Sequence, residues 1–132
     1  MLPNTSMTIY NKITKNRETK YKKSHIYSVH WEDNEQFNIL KSGLSSADKT
    51  SVFIPFRSCD NYQNPIEFKK NPVGFTLQPE DIIVKGIIED EFTTRKELEK
   101  NHDYVRVITS VDDYLFGSDL IKHFEVGANW LF

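Results

Sequence analysis

Alternating polar and apolar side chains along much of the chain predict β-strands. The alternation is clearest between residues 21 and 31, where every second residue shares one face of a predicted strand: Tyr21, Lys23, His25, Tyr27, Val29 and Trp31. β-branched and aromatic content predicts further strands over residues 7–14, 37–40, 50–56, 82–88, 104–111 and 120–126. These strands indicate a sheet in which one face is more buried than the other.

Polar and small residues divide this pattern into turns and loops. Turns are predicted at residues 15–19, 32–35, 78–81 and 112–113, and a loop or one helical turn at 43–49. The stretch 57–74 contains few apolar positions and is predicted to be a long loop anchored by Tyr62, Ile66 and Phe68. Because long loops in compact domains often carry function, this stretch is a candidate interaction site.

The helical signal is confined to one short segment. Thr94 and Glu97 form a capping box, which predicts a helix over residues 95–101. The whole pattern predicts a mainly β fold, a β-barrel or sandwich of six to seven strands, with one short helix and the long loop 57–74. We expect a single domain over residues 1–132, ending in an apolar tail at 128–132.

Charge argues against a general affinity for nucleic acid. Seventeen basic and nineteen acidic residues give a net charge of −2, whereas non-specific nucleic-acid binders usually carry a basic excess. One basic cluster stands out, formed by Lys12, Lys15, Arg17, Lys20, Lys22 and Lys23. Its functional interpretation is a contact with DNA or with an acidic protein surface, and its simpler interpretation is a solvated strand face.

No pattern in the sequence predicts catalysis, a metal site or a cofactor. The four histidines lack metal-ligand spacing, and no phosphate-binding loop or nucleophile elbow is present. Cys59 is the single cysteine, so no disulfide within the chain is possible and a reducing compartment is expected. No apolar run reaches membrane-spanning length. We therefore expect a soluble protein that is not an enzyme.

Several segments, in their order and spacing, resemble a known group of proteins. They are His30–Asp33, Gly43–Leu44, Ala47–Thr50, Val52–Pro55, Phe75–Gly86, Ile108–Asp112 and Gly117–Gly127. The chain resembles, over about residues 7–128, small proteins encoded in the structural gene clusters of tailed phages and prophages of Gram-positive bacteria. Members of that group look like head–tail connector, or head-completion (stopper), proteins. Glu80 departs from the pattern, which has Gly before Asp81.

The resemblance implies a small barrel with a long loop and a peripheral helix. It implies assembly at the portal vertex of the virion, with portal, adaptor and tail proteins as partners and self-association in a ring. The protein would be made in the host cytoplasm. The basic cluster would then line the DNA channel. The long loop would plug that channel or contact the portal, through Arg57, Asp60, Tyr62, Phe68, Lys69 and Lys70. The apolar tail is particular to this chain, and its composition predicts docking on its own domain or on a neighbouring subunit through Trp130, Leu131 and Phe132.

Two alternatives stay open from the sequence. Within the same biology, the protein is a tail terminator or a minor capsid protein. In another class, it is a small nucleic-acid-binding β-barrel that stacks bases on Tyr21, Tyr27 and Trp31 and loses affinity with salt. Aromatic residues at strand spacing are more often part of a core.

Overall fold

Six antiparallel strands close into one barrel. The computed structural model describes residues 3–40, 43–91, 95–118 and 120–130; the side chains of residues 34–40, 43–48, 95, 99 and 130 lie outside this description. The strands are β1 (Thr5–Lys15), β2 (Glu18–Leu40), β3 (Gly43–Pro55), β4 (Ile82–Lys85), β5 (Val105–Tyr114) and β6 (His123–Trp130). Their order around the barrel is β1-β2-β3-β6-β5-β4. The predicted mainly β fold class is confirmed.

Two α-helices and one 3-10 helix lie outside the barrel wall. The 3-10 helix spans Phe56–Ser58, α1 spans Pro65–Lys70 and α2 spans Arg95–Asn101. The predicted helix at 95–101 is confirmed, but the prediction of a single helix was wrong. Asn64 caps α1 by accepting a hydrogen bond from the Glu67 backbone N–H at 2.9 Å, and Pro65 occupies the first turn. The stretch 57–74 is therefore partly helical.

Several predicted turns are continuous strand. β2 runs through residues 32–35 and β3 begins at Gly43, so the turn at 32–35 and the loop at 43–49 were wrong. Asp33 lies opposite Thr50 in this pairing. β5 likewise continues through residues 112–113, where Asp112 lies opposite Glu125. Polar side chains do not prevent strand formation, because the hydrogen-bonded ladder satisfies the backbone whatever the side chains are.

A β-bulge breaks the alternation predicted between residues 21 and 31. Thr5 pairs with Val29 and Met7 with Ile26, so two residues of β2 stand opposite one residue of β1. Ile26 and Val29 are both buried, although they are three residues apart, and Tyr27 is 72% exposed. The placement of Tyr27 on the same face as Val29 was therefore wrong.

Apolar side chains pack on both sides of the barrel wall. The interior cluster includes Met7, Ile9, Trp31, Ile54 and Phe124. On the outer face, a second cluster forms where Leu98 of α2 packs with residues of three strands: Tyr10, Ile82, Val84 and Val105. Neighbouring residues of one strand supply both clusters because strand side chains alternate between faces.

The antiparallel order gives the barrel two different ends. β1, β3 and β5 run in the same direction, so the chain leaves all three at one end. We call this the loop end; it carries the β1–β2 turn, the connector 56–81 and the β5–β6 loop 115–122. The opposite end carries α2 within the β4–β5 connection 86–104, and we call it the helix end.

Candidate functional site at the loop end of the barrel

The predicted basic cluster lies on the β1–β2 hairpin. Asn16 and Arg17 have φ angles of 53° and 66°, the left-handed conformation that a two-residue hairpin turn requires. Lys15 and Glu18 are paired directly beside this turn. Lys15, Arg17 and Lys20 are exposed. The hairpin therefore projects three exposed cations from the loop end.

Lys22 and Lys23 have structural partners. The Lys22 Nζ donates to the Gly74 carbonyl oxygen at 2.6 Å, which ties the hairpin to the connector. The Lys23 Nζ lies 2.9 Å from Glu89 Oε2 and 3.4 Å from Glu91 Oε1. Both ammonium groups are thus engaged within the protein, unlike those at the hairpin tip.

A groove of about 660 Å³ separates the hairpin from α1. Four lysines line it, two from β1 and two from α1: Lys12, Lys15, Lys69 and Lys70. Ile13 and Phe68 contribute apolar surface. The groove therefore brings together residues from the predicted basic cluster and from the predicted loop 57–74. These residues are about fifty positions apart in the chain.

The other predicted loop residues divide into anchors and surface groups. Tyr62 packs against Phe75 and Phe124, with ring centroids 5.8 Å and 4.7 Å apart, and so fixes the connector on the barrel. Phe68 is 3% exposed and is the buried residue of α1. Arg57 and Asp60 are exposed. Tyr62 and Phe68 therefore anchor the connector, as predicted, whereas the predicted anchor Ile66 is 70% exposed. The role of this segment in assembly stays a prediction.

The β5–β6 loop exposes an apolar surface that the sequence analysis missed. Phe116 is 71% exposed, Leu120 73% and Ile121 59%, and Tyr114 and Leu115 are more than a third exposed. Gly117 has a φ of 88°, and a side chain there would come within 2.5 Å of Ile121. The available signal was the density of apolar residues between 114 and 121, which was interpreted as loop and strand. We call this surface the apolar loop.

The apolar loop has a fixed base. The Tyr114 ring stacks on His123 with centroids 5.0 Å apart and planes 13° apart. The Phe56 backbone N–H donates to the Lys122 carbonyl oxygen at 3.0 Å, joining the end of β3 to the start of β6. A predicted strand start at residue 120 was wrong, since β6 begins at His123. The exposed side chains of the loop are therefore presented from an anchored segment.

A buried polar network lies beneath the loop end. Asn11 Nδ2 donates to the Thr76 carbonyl oxygen and to Asp81 Oδ2, both at 2.7 Å. Asp81 Oδ1 accepts the Lys12 backbone N–H at 2.9 Å. Burial raises the pKa of Asp81 to about 6, because these neutral donors offset only part of the desolvation of its carboxylate. The network joins the connector to β1 and closes this end of the barrel interior.

The backbone conformation of residue 80 explains why glycine is expected before Asp81. Glu80 has a φ of 78°, in the left-handed region that favours glycine. The resemblance led us to expect glycine at this position. Lys12 Nζ lies 3.7 Å from Glu80 Oε2, so the glutamate makes one solvated ion pair there.

The structure offers little for metal or thiol chemistry. Among the residues it describes, no three His, Cys, Asp or Glu side chains are grouped to hold a metal ion. Cys59 is buried, its Sγ lies 3.5 Å from the Pro55 carbonyl oxygen, and burial raises the pKa of the thiol to about 12. None of the described helices has the length and apolar content needed to cross a membrane.

The predicted docking tail falls partly outside the described residues. The backbone of Trp130 belongs to β6 and pairs with Arg106, at the helix end of the barrel. The Trp130 side chain, Leu131 and Phe132 lie outside the described residues. The tail at 128–132 therefore begins as barrel strand, and its docking role stays a prediction.

Comparison with known proteins yields a family but no described relative. No curated protein and no solved structure matches the chain. A family of unknown function, DUF6751, matches it over residues 2–129. Because the match covers almost the whole chain, barrel and connector included, the protein belongs to the DUF6751 family.

Proposed function

We propose that this protein is a structural component of a phage virion, a head–tail connector or head-completion protein of the neck. It acts by binding other proteins at the portal vertex, with portal or adaptor subunits on one side and tail proteins on the other. Copies associate in a ring once assembled. This is the function that the sequence resemblance implies, and no step of it requires catalysis.

The apolar loop is the observation that carries the proposal. Phe116, Leu120 and Ile121 expose most of their side chains on one anchored loop. Clustered exposed apolar residues of this kind mark protein–protein contacts in folded proteins. A protein that works by assembly needs such a surface, and burying it on a partner would release the water that it now orders.

The overall architecture supports the proposal at the level of the fold. A small barrel with a long connector and a peripheral helix is what the resemblance implies, and the chain has this arrangement. The three exposed cations of the hairpin, Lys15, Arg17 and Lys20, lie at the same end as the apolar loop. In an assembled ring they are the cations available to face DNA, since Lys22 and Lys23 are engaged within the protein.

Electron microscopy of phage lysates tests the proposal. The gene is deleted from a phage that carries it, and the lysate is compared with the same phage complemented from a plasmid. DNA-filled or leaking heads beside free tails of normal length are the expected result. Tails of irregular length would support the tail-terminator alternative instead. Normal virions with heads joined to tails would reject the neck assignment.

A further inference from the structure

We infer that the groove between β1 and α1 binds an extended acidic segment of a partner protein, which adds to the barrel as a further strand along β1. The inference rests on the proposal that the protein works by binding other proteins, and it names the chemistry of one partner. Three features of the described residues carry it: a free strand edge, the charge of the groove, and the placement of its aromatic residue.

The edge of β1 is open beyond Tyr10. β4 pairs with residues 7–10 of β1 and reaches no further along it, whereas β2 pairs with β1 as far as Lys15. The Asp81 carboxylate accepts the Lys12 backbone N–H, taking the place of the next strand residue. No described strand pairs with residues 13–15 on this side, so the edge that borders the groove is a template for another strand.

The backbone of Thr14 points into this open side. In an antiparallel ladder, alternate residues direct their N–H and C=O groups to the same neighbour. The Gly86 N–H donates to the Ser6 carbonyl oxygen, and Lys12 donates to Asp81, so even-numbered residues of β1 face away from β2. By the same alternation, Thr14 directs its N–H and C=O toward the groove. These two groups would receive the added strand.

The charge of the groove selects an acidic segment. Lys12 and Lys15 line it on the β1 side, and Lys69 and Lys70 on the α1 side. Among the described residues, none that lines the groove is acidic, and the Glu80 partner of Lys12 is a mostly exposed side chain 3.7 Å away. Strand side chains alternate, so Lys12 lies on one face of β1 and Ile13 and Lys15 lie on the other. An added strand would therefore meet a β1 lysine on either face, and Lys69 and Lys70 would add positive charge from α1.

The aromatic residue of the groove argues for a peptide over single-stranded nucleic acid. Proteins that bind single strands stack bases on exposed aromatic rings along a basic track. The aromatic residue lining this groove is Phe68, which is buried and anchors α1. The groove therefore offers cations and a backbone edge but no stacking platform, a combination that suits a β-strand.

Fluorescence anisotropy with the purified full chain tests the inference. The probe is a fluorescein-labelled heptapeptide of alternating Glu and Val residues, and the expected result is saturable binding that weakens with added salt. A Lys-Val peptide of equal length should not bind. A peptide N-methylated at alternate residues on its edge-facing side should lose at least tenfold in affinity, because it lacks the strand hydrogen bonds.

Matched variants locate the site. Lys15→Glu with Lys69→Glu should weaken binding by at least tenfold, whereas Lys96→Glu with Lys100→Glu makes the same charge change on α2 and should leave it nearly unchanged. Thr14→Pro removes the outward N–H and should also abolish binding, since an edge strand tolerates proline there. Its folding is checked by circular dichroism, and the N-methylated peptide supplies the same information if the variant does not fold.

Three results would overturn the inference. Equal losses from the groove and α2 variants would mean that net charge alone attracts the peptide. Tighter binding of a labelled oligothymidylate than of the acidic peptide would assign the groove to nucleic acid. Binding of neither probe would mean that the lysines protect the edge from other strands. None of these results depends on where the protein sits in a virion, which the lysate experiment decides separately.

Discussion

The two ends of the barrel are closed by buried polar networks of opposite character. At the helix end, Arg106 is 2% exposed and contacts Asp33 and Thr50, with its NH2 3.4 Å from Asp33 Oδ1 and its Nε 3.0 Å from Thr50 Oγ1. Trp31 Nε1 also donates to Asp33. At the loop end, Asp81 is fully buried and its hydrogen-bond donors are neutral groups. One network contains a matched charge pair, and the other holds a carboxylate without a cation in contact.

The two ends of the barrel also differ in how many features that cost folding free energy they carry. The helix end buries the Arg106 guanidinium against Thr50 and a partly exposed Asp33, and α2 packs over the outer face of the sheet. The loop end keeps a carboxylate that burial destabilises, a non-glycine residue at positive φ, and the exposed apolar loop. Features that cost folding free energy accumulate at functional surfaces in many proteins. We therefore propose that partners bind at the loop end.

Removing the arginine should produce the largest loss of stability. Arg106→Leu removes the hydrogen bonds of a buried guanidinium to Thr50, which is buried, and to Asp33, which is partly exposed, so we expect unfolding to become easier by about 2–4 kcal/mol. Chemical denaturation followed by circular dichroism measures this change. Arg57→Leu, which alters an exposed arginine at the loop end, is the control and should change stability by about 0.5 kcal/mol or less. Similar losses of stability in both variants would contradict the claim that the Arg106 network stabilises the helix end.

The buried carboxylate should make stability depend on pH. The pKa of Asp81 is raised to about 6 in the folded state from 3.8, so folding favours its protonated form. Its stabilising contribution is then complete below about pH 4 and is lost as the pH rises through about 6, a total of about 2–3 kcal/mol. Denaturation midpoints between pH 4 and 8 measure it.

Asp81→Asn is the matched variant for that titration. It removes the ionisable group while keeping an oxygen that accepts the Lys12 N–H. As the pH rises, the parent protein should lose stability relative to the Asp81→Asn variant. A difference that stays constant from pH 4 to 8 would mean that the neutral donors hold the carboxylate ionised throughout.

Glycine at position 80 should give the smallest effect, and a gain. Glu80→Gly removes the cost of a left-handed conformation, offset by greater freedom of the unfolded chain, so we expect about 0.5–1 kcal/mol of added stability. Thermal unfolding detects this gain. Glu80→Ala keeps the unfavourable φ and loses the ion pair with Lys12, so it should give no gain. A gain of the same size from alanine would show that φ is not the cause.

The sequence predicted most of the barrel because strand patterns survive where one face is buried. The strands starting near residues 7, 82 and 104 were found from runs that include Ile9, Ile83 and Ile108, which form the core. The bulge beside Tyr27 was not predictable, since a one-residue slip between β1 and β2 depends on the partner strand. The parts of β2, β3 and β5 that were predicted as turns or loops were missed because their polar residues lack the apolar alternation that predicts a strand.

The candidate site was predictable in parts but not as a whole. The basic cluster and the connector were each visible as local composition, yet their meeting across one groove depends on how the barrel closes. Tyr62 and Phe68 were predicted as anchors and are anchors, because aromatic residues in a polar stretch usually pack on the core, but Ile66 was wrongly counted with them. The apolar loop was overlooked because leucine and phenylalanine ordinarily indicate core, and exposure is a tertiary property.

Complementation of the deletion phage with variants at each barrel end tests the central claim most directly. Phe116→Ser with Leu120→Ser alters exposed side chains of the apolar loop, and Ile87→Ser alters a partly exposed one at the helix end. We predict that both proteins fold stably and that the loop variant lowers the phage titre about tenfold or more, while the Ile87 variant restores it. A loop variant that is stable and fully restores the titre would contradict the claim that the loop end binds the partners.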